Sequence, residues 1–455
     1  MAGERPLVIV RLGSHAEKDY VLKLAPFIDG VIVGANLFEA TPGATASLLL
    51  RTGGKARVYL DPMTYAFGAY EDPTTRRVRT DLDWIKSDQT RKEGRGKKTV
   101  REFKRSYRLL AEALGWPLSD AVSKSRAVNA DVFKDPLKTA TFCKRVIDYQ
   151  LERISREFTD EEELKDFADQ VPEPSAVFAP YFYIEPSNTG AWLDANLALA
   201  RSSKGLGADV PVHAVVCADV AHLKDAAFSA RLLSELPAAG IAGVWLWFSG
   251  FFEEAASLED LVAYRRLVVG LANHVEVYAM HGGFLSLALN KYGMRGVSHG
   301  VGYGEQKDVV PVIGQSTPTV RYYLPPLARR LGVLEIERSF GALGVKTPKD
   351  FHEKVCGCAV CKGVVQGSIA QFAAFGEMHR SRASAKRSAQ TPAAAKRCRF
   401  HFLLSRITER DDLHKLSLGD LVKRLDDARD TWGKQPTLSR FSEHLARWSA
   451  VLTQK

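Results

Sequence analysis

The chain has 455 residues, 45% hydrophobic and 25% charged, near the averages of globular proteins, which excludes wholesale disorder and a small disulfide-stapled scaffold. Lys and Arg number 63 against 53 Asp and Glu, a net charge of +10. The longest apolar stretch, 238–252, is interrupted by Gly and Ser and falls short of the roughly 20 residues that span a bilayer, and the N-terminal MAGERPLVIVRLG lacks a long apolar signal core, so the expectation is a cytoplasmic protein without a membrane segment.

Short β-branched and aromatic runs bounded by turn residues predict eight strands, at 7–10, 30–33, 57–60, 177–184, 212–217, 244–248, 275–280 and 296–301. Helix-like segments fill most of the gaps, among them 16–24, 192–200, 221–236 and 258–271. Strands alternating with helices argue for a parallel sheet, and a count of eight argues for a closed, TIM-type β/α barrel. Runs such as VIV, VIVG and VWLWF are apolar throughout, as expected of strands covered on both faces. The gap between the third and fourth strands is too long for a simple crossover. It predicts a basic helical insertion, with helices around 100–113 and 139–157 and an acidic FTDEEELKDFADQ, placed over the face where barrel enzymes do their chemistry. After the eighth strand, 322–331 reads as helical, followed by a Cys cluster, a basic low-complexity stretch, and helices from about residue 400 onward. The predicted domains are a barrel from 1–61 and 176–335, a helical basic insertion at 62–175, and a zinc-binding, helical C-terminal region at 336–455.

The positive charge is clustered. Ten basic residues lie between Lys86 and Arg108 against Asp88, Glu93 and Glu102, and seven more lie between Arg380 and Arg399 with no acidic residue among them. Such runs attract polyanions by counterion release, which makes nucleic acid the leading partner class, although a solvated loop has the same composition. The most specific local pattern is Cys356-Gly357-Cys358-Ala359-Val360-Cys361, three of six cysteines in a C-x-C-x-x-C array. Tetrahedral zinc needs a fourth ligand, for which His401, His379 and Cys398 are candidates and His401 is preferred, as the opening of a helix FHFLLSRI. Since all ligands are protein groups, the zinc would be structural. Three buried thiols without metal, or an iron–sulfur cluster, are the alternatives.

An eight-stranded barrel followed by Cys356, Cys358 and Cys361 and a more distant His401 resembles the tRNA-guanine transglycosylase superfamily, whose zinc site follows the eighth strand. The resemblance implies exchange of guanine for a 7-deazaguanine base: an Asp attacks the ribose C1′, the base leaves, and the incoming base reverses the step. Asp61, in VYLDPMTYAFG, looks like the aspartate that the family places in an Asp-Ser-Gly-Gly-Phe context. The family's nucleophile motif at the eighth strand is replaced here by the run from Gly296 to Glu305. That divergence points to the DNA-modifying branch, with DNA favoured over tRNA, and further protein partners possible.

In a β/α barrel, polar residues at strand C-termini converge on one mouth. Asp219 in VVCADVAH is the candidate nucleophile and Asp61 the candidate acid/base, with a helix N-cap as the plain alternative for both. Glu185, His281, Gly282, Gly283, His299, Tyr303 and Glu305 are candidate substrate-binding residues, the paired glycines because a flat base could approach their backbone. A non-catalytic, zinc-bearing nucleic-acid-binding accessory subunit is the second reading. A third is an unrelated barrel enzyme acting on a small metabolite.

Overall fold

The apolar runs form the staves of a barrel. In the computed structural model, β1 (Leu7–Leu12), β2 (Gly30–Gly34), β3 (Arg57–Asp61), β4 (Val177–Phe178), β5 (Val212–Asp219), β6 (Gly243–Ser249), β7 (Glu276–Ala279) and β8 (Met294–Gly300) run parallel in the order β3-β2-β1-β8-β7-β6-β5-β4. The structure describes residues 4–454 except 53, 73, 74, 76, 94, 95, 161, 208, 303, 304, 306, 311–318, 380–388 and 435–437. The sheet edges meet where Val58 bridges Pro174 and Ser175 N donates to Val58 O at 2.8 Å, so the barrel is nearly closed. Val8, Ile9, Val31, Val33, Val244 and Trp245 are fully buried, as strands covered on both faces require. Gly296 lets β8 approach β1: a Cβ there would stand 2.7 Å from Leu7 Cβ.

The fourth strand is shorter than its apolar run. Pro180 interrupts it by removing a ladder donor, and the backbone is satisfied by side chains. Gln150 brackets Phe178, Thr64 brackets Tyr181, and Asn196 brackets Phe182, before Ile184 bridges Ala218 to resume the pairing with β5.

The insertion contains the expected helices, at Arg105–Leu114 and Pro136–Asp160, but its basic segment is not helical. Lys86–Glu93 and Gly96–Phe103 form an antiparallel ribbon, because alternation through Thr99, Val100 and Phe103 suits a ladder. The Pro136–Asp160 helix buries Phe142, Val146, Ile147 and Phe158 and serves as the crossover from β3 to β4. Residues 322–331 likewise form a hairpin, Tyr322–Leu324 with Arg329–Leu331, since Pro325 and Pro326 turn the chain. The C-terminal helices Pro392–Lys415, Leu418–Gly433 and Glu443–Thr453 pack back on the barrel. Arg410 reaches Asp29 at 2.7 Å, Arg265 reaches Val451 O at 2.9 Å, and Trp448 stacks on Phe284. Among the described residues no helix is long and apolar enough to cross a membrane.

Inside the barrel, Trp245 stacks on Tyr278 with ring centroids 4.5 Å apart, and its Nε1 donates to His213 Nδ1 at 3.0 Å. That acceptor role requires a neutral ring, and burial holds His213 at about 4. Unfolded His titrates near 6.5. The unfolded chain therefore takes up a proton that the fold refuses between these values, and the stability present above about 6.5 is lost as pH falls towards 4. His213 alone should remove about 2 kcal/mol between pH 7 and pH 5. Urea midpoints at both pH values check this, with His213→Gln, which keeps an acceptor but does not titrate, showing the shallower pH dependence.

Candidate metal centre and barrel mouth

Three thiols and one imidazole converge beside the barrel. Cys356 follows the Pro348–Lys354 helix, and Cys358 caps the helix Ala359–Val364, on which Cys361 sits. His401 approaches from the Pro392–Lys415 helix, where it lies well inside instead of opening it. Its Nδ1 stands 3.7, 3.4 and 3.4 Å from the sulfurs of Cys356, Cys358 and Cys361, and all four ligand atoms lie within 4.8 Å of one another. Tetrahedral zinc, with bonds of about 2.3 Å to sulfur and about 2.0 Å to nitrogen, sets those atoms about 3.6 Å apart, so the residues fit such an ion. His401 Nε2–H donates to Tyr323 O at 2.5 Å, which fixes the tautomer and leaves Nδ1 free to ligate. Tyr322 stacks on the His401 ring at 4.0 Å, and its hydroxyl lies 3.2 Å from Cys361 Sγ. His352 bonds Val365 O at 2.9 Å and so supports the loop. The other two candidates stand apart: His379 is exposed, and the Cys398 thiol donates to Phe375 O and is pushed up to about 12 by burial.

At the C-terminal ends of the strands, Asp61 is fully buried and bound on every side. The guanidinium of Arg11, on β1, pairs with it, Tyr181 Oη donates to it at 2.8 Å, and Met63 N donates at 2.9 Å. Asp219 is half-buried at the end of β5. Its carboxylate caps the turn at Ala221 N, 2.9 Å, and accepts from Tyr183 Oη at 3.1 Å. The two aspartates are thus presented by tyrosines two residues apart on one segment, yet only Asp61 has an ion-pair partner among the described residues. Glu185, buried just beyond, is pushed upward by desolvation, and its Oε2 has no hydrogen-bond partner among the described residues.

Around the mouth, Trp247 packs edge-on against His281 at 4.8 Å and against Tyr65 at 4.9 Å. Lys307 returns over it: its carbonyl accepts from Trp247 Nε1 at 2.7 Å and its ammonium lies 5.4 Å from the ring centre. Burial and the nearby Arg11 push Lys307 down to about 8. Sequence reasoning passed over Arg11, Tyr181 and Lys307. An arginine inside an otherwise apolar strand, LVIVRL, was the one signal that could have found the first.

Gly282, Gly283, His299 and Glu305 are held in structural contacts. Gly283 N does not await a base: together with Leu285 N and Ser286 it binds the carboxylate of Glu253 at 2.6–3.2 Å, and a Cβ at Gly283 would collide with Glu253. Gly282 packs against Ala279 and Ser286. His299 is sealed against Phe402, and its Nδ1–H donates to Gly300 O at 3.0 Å; burial holds it neutral, at about 4. Glu305 is gripped by Arg330, at 2.8 Å, and by Arg406. Burial would raise its carboxyl, but these two cations hold it below its usual range. Tyr303 and residues 380–388 of the second basic run lie outside the described residues. Arg397 and Arg399, in its C-terminal part, are on the Pro392–Lys415 helix, Arg397 reaching Ala374 O and Arg399 lying over Tyr20.

Beside the mouth, a cavity of about 400 Å³ opens between the loops after β6–β8 and the C-terminal helices. On its wall Glu254 pairs with Arg329 at 2.8 Å, and burial nevertheless raises it to about 7.

No known protein-family model matches the chain, and no curated protein matches it. Fold and site therefore define a class: a nearly closed parallel β/α barrel bearing a C-terminal Cys3His cluster of the zinc type.

Two outcomes follow from this geometry. Asp61→Ala leaves Arg11 charged and buried, so it should cost about 3–5 kcal/mol in urea unfolding, while the paired replacement Arg11→Met with Asp61→Leu should recover most of that loss. Elemental analysis of the purified chain should find one bound metal ion per molecule, lost in Cys361→Ala, and chelation should lower the melting temperature of the wild type towards that of the variant.

Proposed function

We propose that the protein is a zinc-bearing nucleic-acid base-exchange enzyme that replaces a guanine with a 7-deazaguanine, with DNA favoured over tRNA as substrate. The observation that carries this reading is the joint presence of a parallel eight-stranded barrel and a Cys3His cluster C-terminal to its eighth strand, the arrangement that motivates the resemblance to the guanine transglycosylases. Zinc, when bound by Cys356, Cys358, Cys361 and His401, supplies bracing and not chemistry, because its ligand set is closed.

In this reading, Asp219 is the nucleophile. It lies at a strand C-terminus, is partly accessible, and has no ion-pair partner among the described residues. Its oxygen bonds to C1′ of the nucleotide as the C1′–N9 bond breaks, and the guanine leaves with that electron pair and takes up a proton. The incoming base loses its N9 proton, attacks C1′ and releases the carboxylate. Tyr183 steadies Asp219 by donating to it. Asp61 is committed to its ion pair with Arg11, and the proton exchange falls to Lys307, which feels the charges of both and which burial and Arg11 push down to about 8. The target base must leave the helical stack to reach this mouth.

A specific observation also favours the accessory-subunit reading: Asp61 is consumed by an ion pair and the Gly283 backbone by Glu253. Incorporation of labelled guanine or 7-deazaguanine into duplex DNA and into bulk tRNA separates the two. Base exchange predicts incorporation into DNA, reduced at least a hundredfold in Asp219→Ala with zinc content and melting temperature unchanged. Binding without incorporation in either polymer supports the accessory role.

A further inference from the structure

The last part of the first basic run, which the proposed chemistry leaves unused, opens the insertion's helix Arg105–Leu114. That helix buries Leu110, Ala111 and Leu114 and packs against Ala35–Ala40, a helix that begins where β2 ends, at the C-terminal face of the barrel. It therefore forms part of the rim of the mouth. Tyr107, in its first turn, reaches inward: its ring meets Phe67 edge-on with centroids 6.1 Å apart, and its hydroxyl feels the charges of Arg11 and Asp61. Beside it Lys104, Arg105 and Arg108 are exposed, and none of their side chains has an ion-pair or hydrogen-bond partner among the described residues. The nearby acids do not offset them. No acidic residue lies in the first turn, Asp83 is engaged by Arg79 at 2.9 Å, Asp88 lies 3.8 Å from Arg101, and the exposed Glu112, one turn on, leaves Arg108 unpaired. Elsewhere in the insertion the pattern is the reverse. Lys124, Lys134, Lys138 and Lys144, every lysine between positions 124 and 144, each pair with an aspartate three or four residues away at 2.6–3.4 Å. Three uncompensated cations are thus gathered where the insertion borders the mouth.

We propose that Lys104, Arg105 and Arg108 bind the backbone phosphates that flank the target nucleotide, a proposal that rests on nucleic acid being the substrate. A nucleotide turned out of its stack into the mouth leaves the phosphates on either side of it at the rim. Cations placed there neutralise those phosphates and release their condensed counterions, so the contact strengthens binding and weakens with salt. Phosphate contacts fix position and register without reading bases. The patch therefore acts on binding, equally for any sequence, and not on the chemical step.

The test is fluorescence anisotropy of the full chain with two DNA duplexes of unrelated sequence across a salt series. It compares the wild type with the combined variant Lys104→Gln, Arg105→Gln, Arg108→Gln. A control variant, Arg51→Gln, Lys55→Gln, Lys204→Gln, makes the same change in net charge with exposed cations that precede β3 and β5, at the opposite face of the barrel. The rim variant should bind both duplexes at least tenfold more weakly, with a slope of log affinity against log salt shallower by about 2 to 3, while the control keeps the wild-type slope. Each single rim variant should reduce the slope by about 0.9, which keeps the test decisive if the triple variant folds poorly. An unchanged slope, an equal loss in the control, or a loss confined to one of the two sequences overturns the proposal. In the exchange assay the rim variant should raise KM for DNA at least tenfold and leave kcat unchanged, whereas a fall in kcat alone contradicts a role in binding. The same assay separates the two readings. Incorporation into DNA with an unchanged slope removes the patch and keeps base exchange, whereas the expected slope change without incorporation removes base exchange and keeps the patch.

Discussion

The Pro392–Lys415 helix is the member on which the rest of the site depends, because it carries both His401 and Arg406. His401 closes the Cys3His cluster, and Arg406, fully buried, binds Glu305 from the loop after β8 and Glu409 on its own helix. Tyr323 joins the two ends: its carbonyl fixes the His401 tautomer and its hydroxyl donates to Glu409 at 2.7 Å. An isolated charge of this kind would be too costly to bury; two carboxylates and the faces of Tyr323 and Phe402 compensate Arg406. A metal ion held by the cluster is thereby connected through one rigid rod to the loop that follows the last barrel strand.

The barrel mouth obeys the same logic on a smaller scale. Arg11 projects into the barrel only because Asp61, Tyr181 and Met280 meet it there, and this pair fills space that in a purely apolar barrel would be packed by aliphatic side chains. Asp219, by contrast, is restrained, among the described residues, by a tyrosine and a backbone amide. Two aspartates that look equivalent in sequence, each ending a buried strand, thus differ, among the described residues, in the presence of a neutralising cation.

Much of the barrel was legible because buried parallel strands announce themselves: all eight runs, from VIV to VWLWF, are strands. Local pattern failed where a few residues outweighed it. Pro180 shortened the fourth strand, the prolines at 325 and 326 made a hairpin of a segment with helical character, and β-branched residues at 99 and 100 drew a strongly charged segment into a ribbon. The three cysteine ligands were readable from spacing, since the array is local. His401 was the preferred fourth residue from sequence, and the fold was needed only to choose it over His379, because residues 362–400 do not fix its distance from the cluster. Glu305 and Gly283 do line the cavity beside the mouth, but their pairings with Arg406 and Glu253 are long-range and leave no mark on local sequence.

The covalent step is the most exposed part of the account. Incubating the wild-type protein with duplex DNA in the absence of an incoming base, then denaturing and mapping it by mass spectrometry, should reveal a DNA adduct on the peptide that contains Asp219. An adduct on another carboxylate, or none from a metal-loaded protein that retains DNA, would contradict it.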